Sequence, residues 1–202
     1  RLAREAAQPP CEPEFVPRTD LERILDLARW APSGDNTQPW RFEISSDRQV
    51  AVHGFDTRDH VIYDLQGHAS QLALGGLLET LAIAASQFHW RCEVRRRPDL
   101  PETRPTFEIE FHAAPDLQTD PLALFIPARV TNRRPFSRQP LSLRQRAALD
   151  EAVAPAYRVI WFESAQDKRR WAKLLFDNAH IRLTTPEAYP VHRDIIEWDA
   201  QF

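Results

Sequence analysis

Apolar positions recur at helical spacing in some stretches of the chain and alternate with polar ones in others, and prolines mark many of the joins. Leu21, Ile24, Leu25 and Ala28 lie on one helical stripe behind Thr19-Asp20-Leu21-Glu22. That tetrapeptide is a capping box, in which threonine and glutamate satisfy each other's backbone donors, so a helix is predicted over 20–31 with Pro32 ending it. Segments 41–44 and 49–53 alternate around Ser45-Ser46-Asp47-Arg48 and predict a hairpin. From His68 to about Gln87 the chain is rich in Ala and Leu, with Glu79 almost its only charge, and it predicts a central core helix buried nearly all round. Gly75-Gly76 costs that helix about 1 kcal/mol per glycine relative to alanine, so close approach of another element is expected there.

Segments 90–94 and 106–111 predict two further strands joined by a loop at Arg95-Arg96-Arg97-Pro98, whose arginines read as a solvated edge rather than a ligand site. After a proline-marked loop, Ser142 and Gln145 form a second capping box and open another helix. A strand is predicted over 157–162 and helices over 164–183 and 186–198, the first with Trp171, Leu174, Leu175 and Asn178 on one face. Residues 1–18 hold Pro9, Pro10, Pro13 and Pro17 among charges and read as an arm or linker. The fold class is α+β, an antiparallel-rich sheet packed with helices around the central helix.

A shift of 123 positions brings Pro17 onto Pro140, Thr19 onto Ser142, Glu22 onto Gln145, Ala31 onto Ala154 and Pro32 onto Pro155. Each copy then reads proline, capping box, helix, Ala-Pro, strand. This register predicts a duplicated unit that packs as a pseudo-symmetric pair, with a first half over 19–128 and the start of a second over 129–202. The copies differ at one place. After Ala31-Pro32 the first carries Ser33-Gly34-Asp35-Asn36-Thr37-Gln38-Pro39-Trp40, whereas the second passes from Ala154-Pro155 almost directly into Tyr157. The counterpart of the central helix would lie beyond Phe202, and a chain that begins with Arg and contains no Met reads as a piece of something longer.

Composition narrows the function classes. A hydrophobic content of 43% over 202 residues suffices for a sizeable core, and no run approaches the roughly 18 apolar residues of a membrane span, so a cytoplasmic protein without a membrane role is expected. A net charge of -3 gives no bulk attraction to nucleic acid. Cys11 and Cys92, without a CxxC or histidine at ligand spacing, argue against a metal site and against a disulfide framework.

Two stretches carry candidate chemistry. Ser33, Asn36 and Gln38 supply donors and acceptors, while Pro32, Gly34 and Pro39 let the backbone approach a flat ligand; the competing reading is a structural helix-to-strand turn. Arg129, Thr131 and Arg133 alternate, so an extended segment would present two guanidiniums and a hydroxyl on one face, as a phosphate requires; the competing reading is an exposed basic strand. Asp64 and His68 stand near the start of the central helix, where a capping or core role is favoured over a ligand contact.

Together these residues resemble the nitroreductase superfamily of FMN-dependent oxidoreductases. Pro32, Ser33, Asn36, Gln38, Pro39 and Trp40 match the family's PSxxNxQPW loop, and Arg129, Thr131 and Arg133 are similar to its RxSxR segment with threonine for serine. RxSxR ordinarily precedes the first helix of the family, whereas here it precedes the second, which looks like the tandem, pseudo-dimeric branch in which one chain builds a single flavin site. The resemblance implies FMN held by Pro32, Ser33, Asn36, Gln38, Arg129, Thr131 and Arg133, reduced nicotinamide, NADH or NADPH, as electron donor, and a small-molecule redox substrate as acceptor. It implies no side-chain nucleophile and therefore no catalytic residue in that sense. It leaves open a homodimer or a fused ThiF-like adenylylating domain as partner, and a non-catalytic or flavin-sequestering nitroreductase-like binding protein as the alternative function.

Overall fold

The structure, a computed structural model, describes residues 16–132, 135, 137 and 139–195. Most of the proline-rich arm, Cys11, Arg133 and the predicted helix end at 196–198 lie outside the described residues. The chain divides into two compact units, one ending at Arg129 and the other beginning at Val130.

In the first unit, helix α1 (Asp20–Ala28) starts with the predicted cap: the Thr19 hydroxyl accepts from the Glu22 amide at 3.1 Å and the Glu22 carboxylate accepts from the Thr19 amide at 3.0 Å. The helix stops three residues short of the predicted 31. The amides of Trp30 and Ala31 bond to the carbonyls of Leu27 and Ala28, so the last turn tightens before Pro32. Leu21, Ile24, Leu25 and Ala28 are its buried stripe, and they join Leu74, Leu77 and Leu81 of helix α2 (His68–Ser86) in the core.

Strands β1 (Trp40–Ser46), β2 (Gln49–Gly54), β3 (Trp90–Arg96) and β4 (Thr106–Ala113) form one antiparallel sheet in the order β1-β2-β4-β3. Val52 sits between Phe42 and Phe107, and Ile109 between Val50 and Val94, so one face of the sheet is apolar and meets the helices. The other face is charged. Glu43 lies 2.7 Å from His53, Arg95 2.6 Å from Glu93 and Arg97 2.8 Å from Glu108, as expected of cross-strand and same-strand neighbours exposed to water. The predicted loop at 95–97 is therefore partly strand, since Arg95 and Arg96 continue the β3 ladder. Its arginines are the solvated edge expected of them, with Arg95 and Arg97 held by Glu93 and Glu108.

Two expectations for the central helix need correcting. It is not buried all round: Ala73, Leu74, Leu77, Leu81, Ala84 and Ala85 face the core, whereas Leu72 is 77% exposed and Gly75 has no atom of another element near it. Apolar content alone did not say which side finds a partner. Neither glycine is required by a close approach: at Gly76 a Cβ would stand 3.7 Å from the Pro32 ring, an ordinary van der Waals contact. Among the described residues, 65–86 is long and apolar enough to cross a membrane by composition, but Leu77 and Leu81 are fully enclosed by protein and mark it as a core helix.

The second unit contains α3 (Leu143–Val153), α4 (Ala165–Thr184) and α5 (Ala188–Ile195). The capping box at Ser142 and Gln145 forms as predicted, at 3.3 and 2.8 Å. No residue of α3 or α4 is buried. The strand predicted at 157–162 is absent: this segment pairs with no strand among the described residues and instead lies along α3, with Glu163 2.6 Å from Arg146 and the Trp161 indole donating to Asp150. Alternation encodes a strand only where a neighbouring strand can complete its hydrogen bonds.

Candidate functional site

Residues 32–40 connect the end of α1 to β1, and their backbone is unusual. Asp35, Asn36 and Gln38 have φ of 50°, 56° and 45°, in the left-handed region that Asp and Asn visit more readily than other non-glycine residues and that a glutamine enters at greater cost. Both ends of the segment are fixed. Pro32 rests against Gly76 of α2, while Pro39 and Trp40 are buried, with the Pro39 carbonyl accepting from the Phe55 amide at 3.1 Å.

Between these ends, the Asn36 and Thr37 amides bond to the carbonyls of Ser33 and Gly34 at 3.2 and 2.9 Å, and the Gln38 amide donates to the Ser33 hydroxyl at 3.0 Å. The Gln38 side-chain amide donates to the Asn36 side-chain oxygen at 3.3 Å. Ser33, Asn36 and Gln38 are thus brought together as expected. The Ser33 hydroxyl oxygen and the Asn36 side-chain oxygen each accept one of these bonds, which leaves the Ser33 O–H and the Asn36 NH2 as donors for a ligand. Such a set fits an acceptor-rich ring edge, as on the carbonyl and nitrogen side of a flavin.

One outward side chain is tied back. The Tyr63 hydroxyl donates to the Asp35 carboxylate at 2.5 Å. Tyr63 belongs to the segment 55–67 that runs from β2 to α2, and behind it lies a buried polar knot. The Asp64 carboxylate accepts from the Thr57 and Ser70 hydroxyls, each at 2.6 Å, and from the Ala69 amide at 2.8 Å. Burial pushes the Asp64 carboxyl up, but hydrogen bonds from the Ser70 and Thr57 side chains and the Ala69 and Ser70 amides outweigh it and hold the group below its ordinary value. Asp64 therefore has the capping and core role favoured for it. Its charge already neutralises the positive end of α2, so that end does not offer itself to a phosphate. His68 is exposed on the first turn of α2.

The amide loop and this knot enclose a small cavity of about 30 Å³, room for about one water, lined by Gly34, Thr37, Tyr63 and Ser70. A more open hollow of about 210 Å³ lies on the outer face of the sheet, among Glu93, Arg95, Arg97 and Glu108. Its charges are paired with one another, so it carries less chemistry than the loop despite its size.

The arginine segment is placed only in part. The Arg129 guanidinium donates to the Trp30 carbonyl at 3.4 Å, at the approach to the amide loop. Thr131 is exposed in irregular chain at the start of the second unit, and Arg133 lies outside the described residues. Sequence reasoning missed Asp35 and Tyr63. The Asp-Asn pair is a readable signal for left-handed backbone, but a partner 28 residues away leaves no local mark.

Comparison with known proteins gives these features a family. Residues 12–139 match the model of the Nitroreductase family. A Mycobacterium tuberculosis protein named "Putative NAD(P)H nitroreductase Rv3131" is 28% identical over 193 residues, covering 93% of this chain and 53% of that protein. A second of the same organism, similarly named with the suffix acg, is 32% identical over 134 residues, 63% of this chain and 39% of its own length. The oxygen-insensitive NADPH nitroreductase of Helicobacter pylori is 44% identical over 41 residues, 18% of this chain and 20% of that protein. A nitroreductase family protein of Clostridium difficile, known from its crystal structure, superposes with a TM-score of 0.39 at 19% identity over 63% of this chain and 90% of its own. The chain spans about half the length of the first of these relatives, or less. With its family match extending from the arm through the amide loop and the sheet to the start of the second unit, the chain belongs to the Nitroreductase family.

Proposed function

We propose that this chain supplies the ring-binding part of an FMN site in an oxidoreductase that takes electrons from NADH or NADPH and passes them to a small-molecule acceptor. The observation that carries this reading is the amide loop, whose left-handed backbone and internal bonds from Gln38 to the Ser33 and Asn36 oxygens leave the Ser33 hydroxyl and the Asn36 amide as preformed donors. Bound FMN would supply the two-electron chemistry. The chain's part is to bind and orient: Ser33 and Asn36 donate to the ring edge, Pro32 and Gln38 shape the surface beneath it, and Arg129, Thr131 and Arg133 hold the phosphate.

The domain reading belongs to the same proposal. Residues 19–128 act as the first nitroreductase-like half and 129–202 as the start of a second. The repeat supports this, as do relatives about twice as long as the matched region.

Titration of the purified full chain with FMN tests the reading. Quenching of flavin fluorescence with saturation at one site is expected, followed by bleaching of the yellow complex with NADH or NADPH under anaerobic conditions. A chain that binds no FMN would end the proposal. One that binds FMN but resists reduction would instead be the flavin-sequestering protein. Arg133→Ala is expected to weaken FMN binding by about 1.5–3 kcal/mol, the range for hydrogen bonds to charged groups, and unchanged affinity would remove Arg133 from the site.

A further inference from the structure

Left-handed backbone at three non-glycine residues persists only where the surroundings over-determine it. The ends of the amide loop are fixed by Pro32 against Gly76 and by buried Pro39, whereas among the described residues the Ser33, Asn36 and Gln38 side chains hydrogen-bond only within the loop. Among the described residues, the one side-chain hydrogen bond from 33–38 to the rest of the first unit is that between Asp35 and Tyr63. Its far end is firmly held. Val61 and Asp64, on either side of Tyr63, are buried, and the Val61 and Asp64 amides bond to the Thr57 and Val61 carbonyls at 2.7 and 2.9 Å. Asp64 is in turn locked by Thr57, Ser70 and the start of α2.

We propose that Tyr63 is a positioning residue for the amide loop: through Asp35, its hydroxyl holds the left-handed backbone of Asp35, Asn36 and Gln38 and so fixes the donors of Ser33 and Asn36 before any ligand arrives. The proposal rests on the flavin reading for its ligand, but the latch itself is a property of the unliganded chain. A donor set fixed in advance spares the ligand the cost of ordering it, so the latch acts on affinity without touching the ligand. Asp35 is the apex of the turn and Tyr63 the post to which it is tied.

Two measurements on the full chain separate latch from ligand. Amide hydrogen exchange of Asn36, Thr37 and Gln38 is expected to quicken about tenfold in Tyr63→Phe, which removes the charge-assisted bond to Asp35 and keeps the ring, while the amides of α2 exchange as before. FMN affinity is expected to fall about tenfold in the same variant. Asp35→Ala should do the same, Asp35→Asn, which keeps an acceptor, should lie between, and Tyr63→Phe with Asp35→Ala should be no weaker than either alone. Unchanged exchange at 36–38 in Tyr63→Phe would overturn the latch. Quickened exchange with unchanged FMN affinity would overturn its role in positioning the site. If the unaltered chain binds no FMN, the flavin reading fails and exchange alone decides the latch.

Discussion

Helices α1 and α3 open with the same device and come to different ends. Thr19 with Glu22 and Ser142 with Gln145 form the same reciprocal cap, yet α1 buries Leu21, Ile24, Leu25 and Ala28 whereas α3 buries nothing. The contrast extends to their units. Around α1 stand a four-stranded sheet and the core face of α2; around α3 the apolar side chains remain outside, with Leu143 at 83% and Leu149 at 46% exposure. A cap decides where a helix begins, but only an apolar partner makes it resist unfolding.

The largest expected effect tests the buried side of this contrast. Leu77→Ala, in the core between α1 and the sheet, should destabilise the full chain by about 2–5 kcal/mol in urea unfolding, through lost transfer energy and the cavity left behind. A loss under about 1 kcal/mol would mean that the α1 and α2 interface is not what holds the first unit.

Asp64→Ala comes next, at about 2–3 kcal/mol, because the Thr57 and Ser70 hydroxyls lose a charged acceptor in a buried place. Its pH dependence has a definite sign. The folded carboxyl titrates below its unfolded counterpart, so its contribution is fully present above about pH 4 and fades as pH falls through the lower folded value. The variant should therefore lose less stability on acidification than the parent in parallel urea melts at pH 7 and pH 3.

The two caps then offer a matched pair. Thr19→Ala should lower the unfolding free energy by about 1 kcal/mol, since α1 is welded to the core. Ser142→Ala should cost about as much within α3 but show as lost helical ellipticity, because α3 buries nothing that couples it to a cooperative transition. Equal shifts in the main transition would break the comparison. The smallest effect is expected at Leu175 of α4, 67% exposed, where Leu175→Ala should change stability by less than about 0.5 kcal/mol.

Local chemistry was the legible part. Both capping boxes, all four strands of the sheet and the amide loop are visible in runs of a few residues, because turns, caps and alternation are set by near neighbours. The exposed side of α2 was not legible, since Leu72 and Leu77 are equally apolar and only their places in the fold separate them. Residues 157–162 misled for the same reason: their alternation is real, but no strand among the described residues lies alongside. At the candidate site, Ser33, Asn36 and Gln38 could be named from composition and spacing, whereas the left-handed backbone that aims them depends on Tyr63, far along the chain.

The strand order has a consequence for how the first unit assembles. The β1 and β2 hairpin closes across Asp47 and Arg48, but β2 finds β4 only after the chain has passed through α2 and β3, with His53 and Thr106 meeting across 53 residues. Closing so long a loop is entropically slow, and contacts of this separation govern folding rates more than stability. The seam between β2 and β4 is thus the expected kinetic bottleneck, so Ile109→Val should slow refolding more than the same deletion of a methyl at Ile24 in α1, and equal folding rates would place the bottleneck elsewhere.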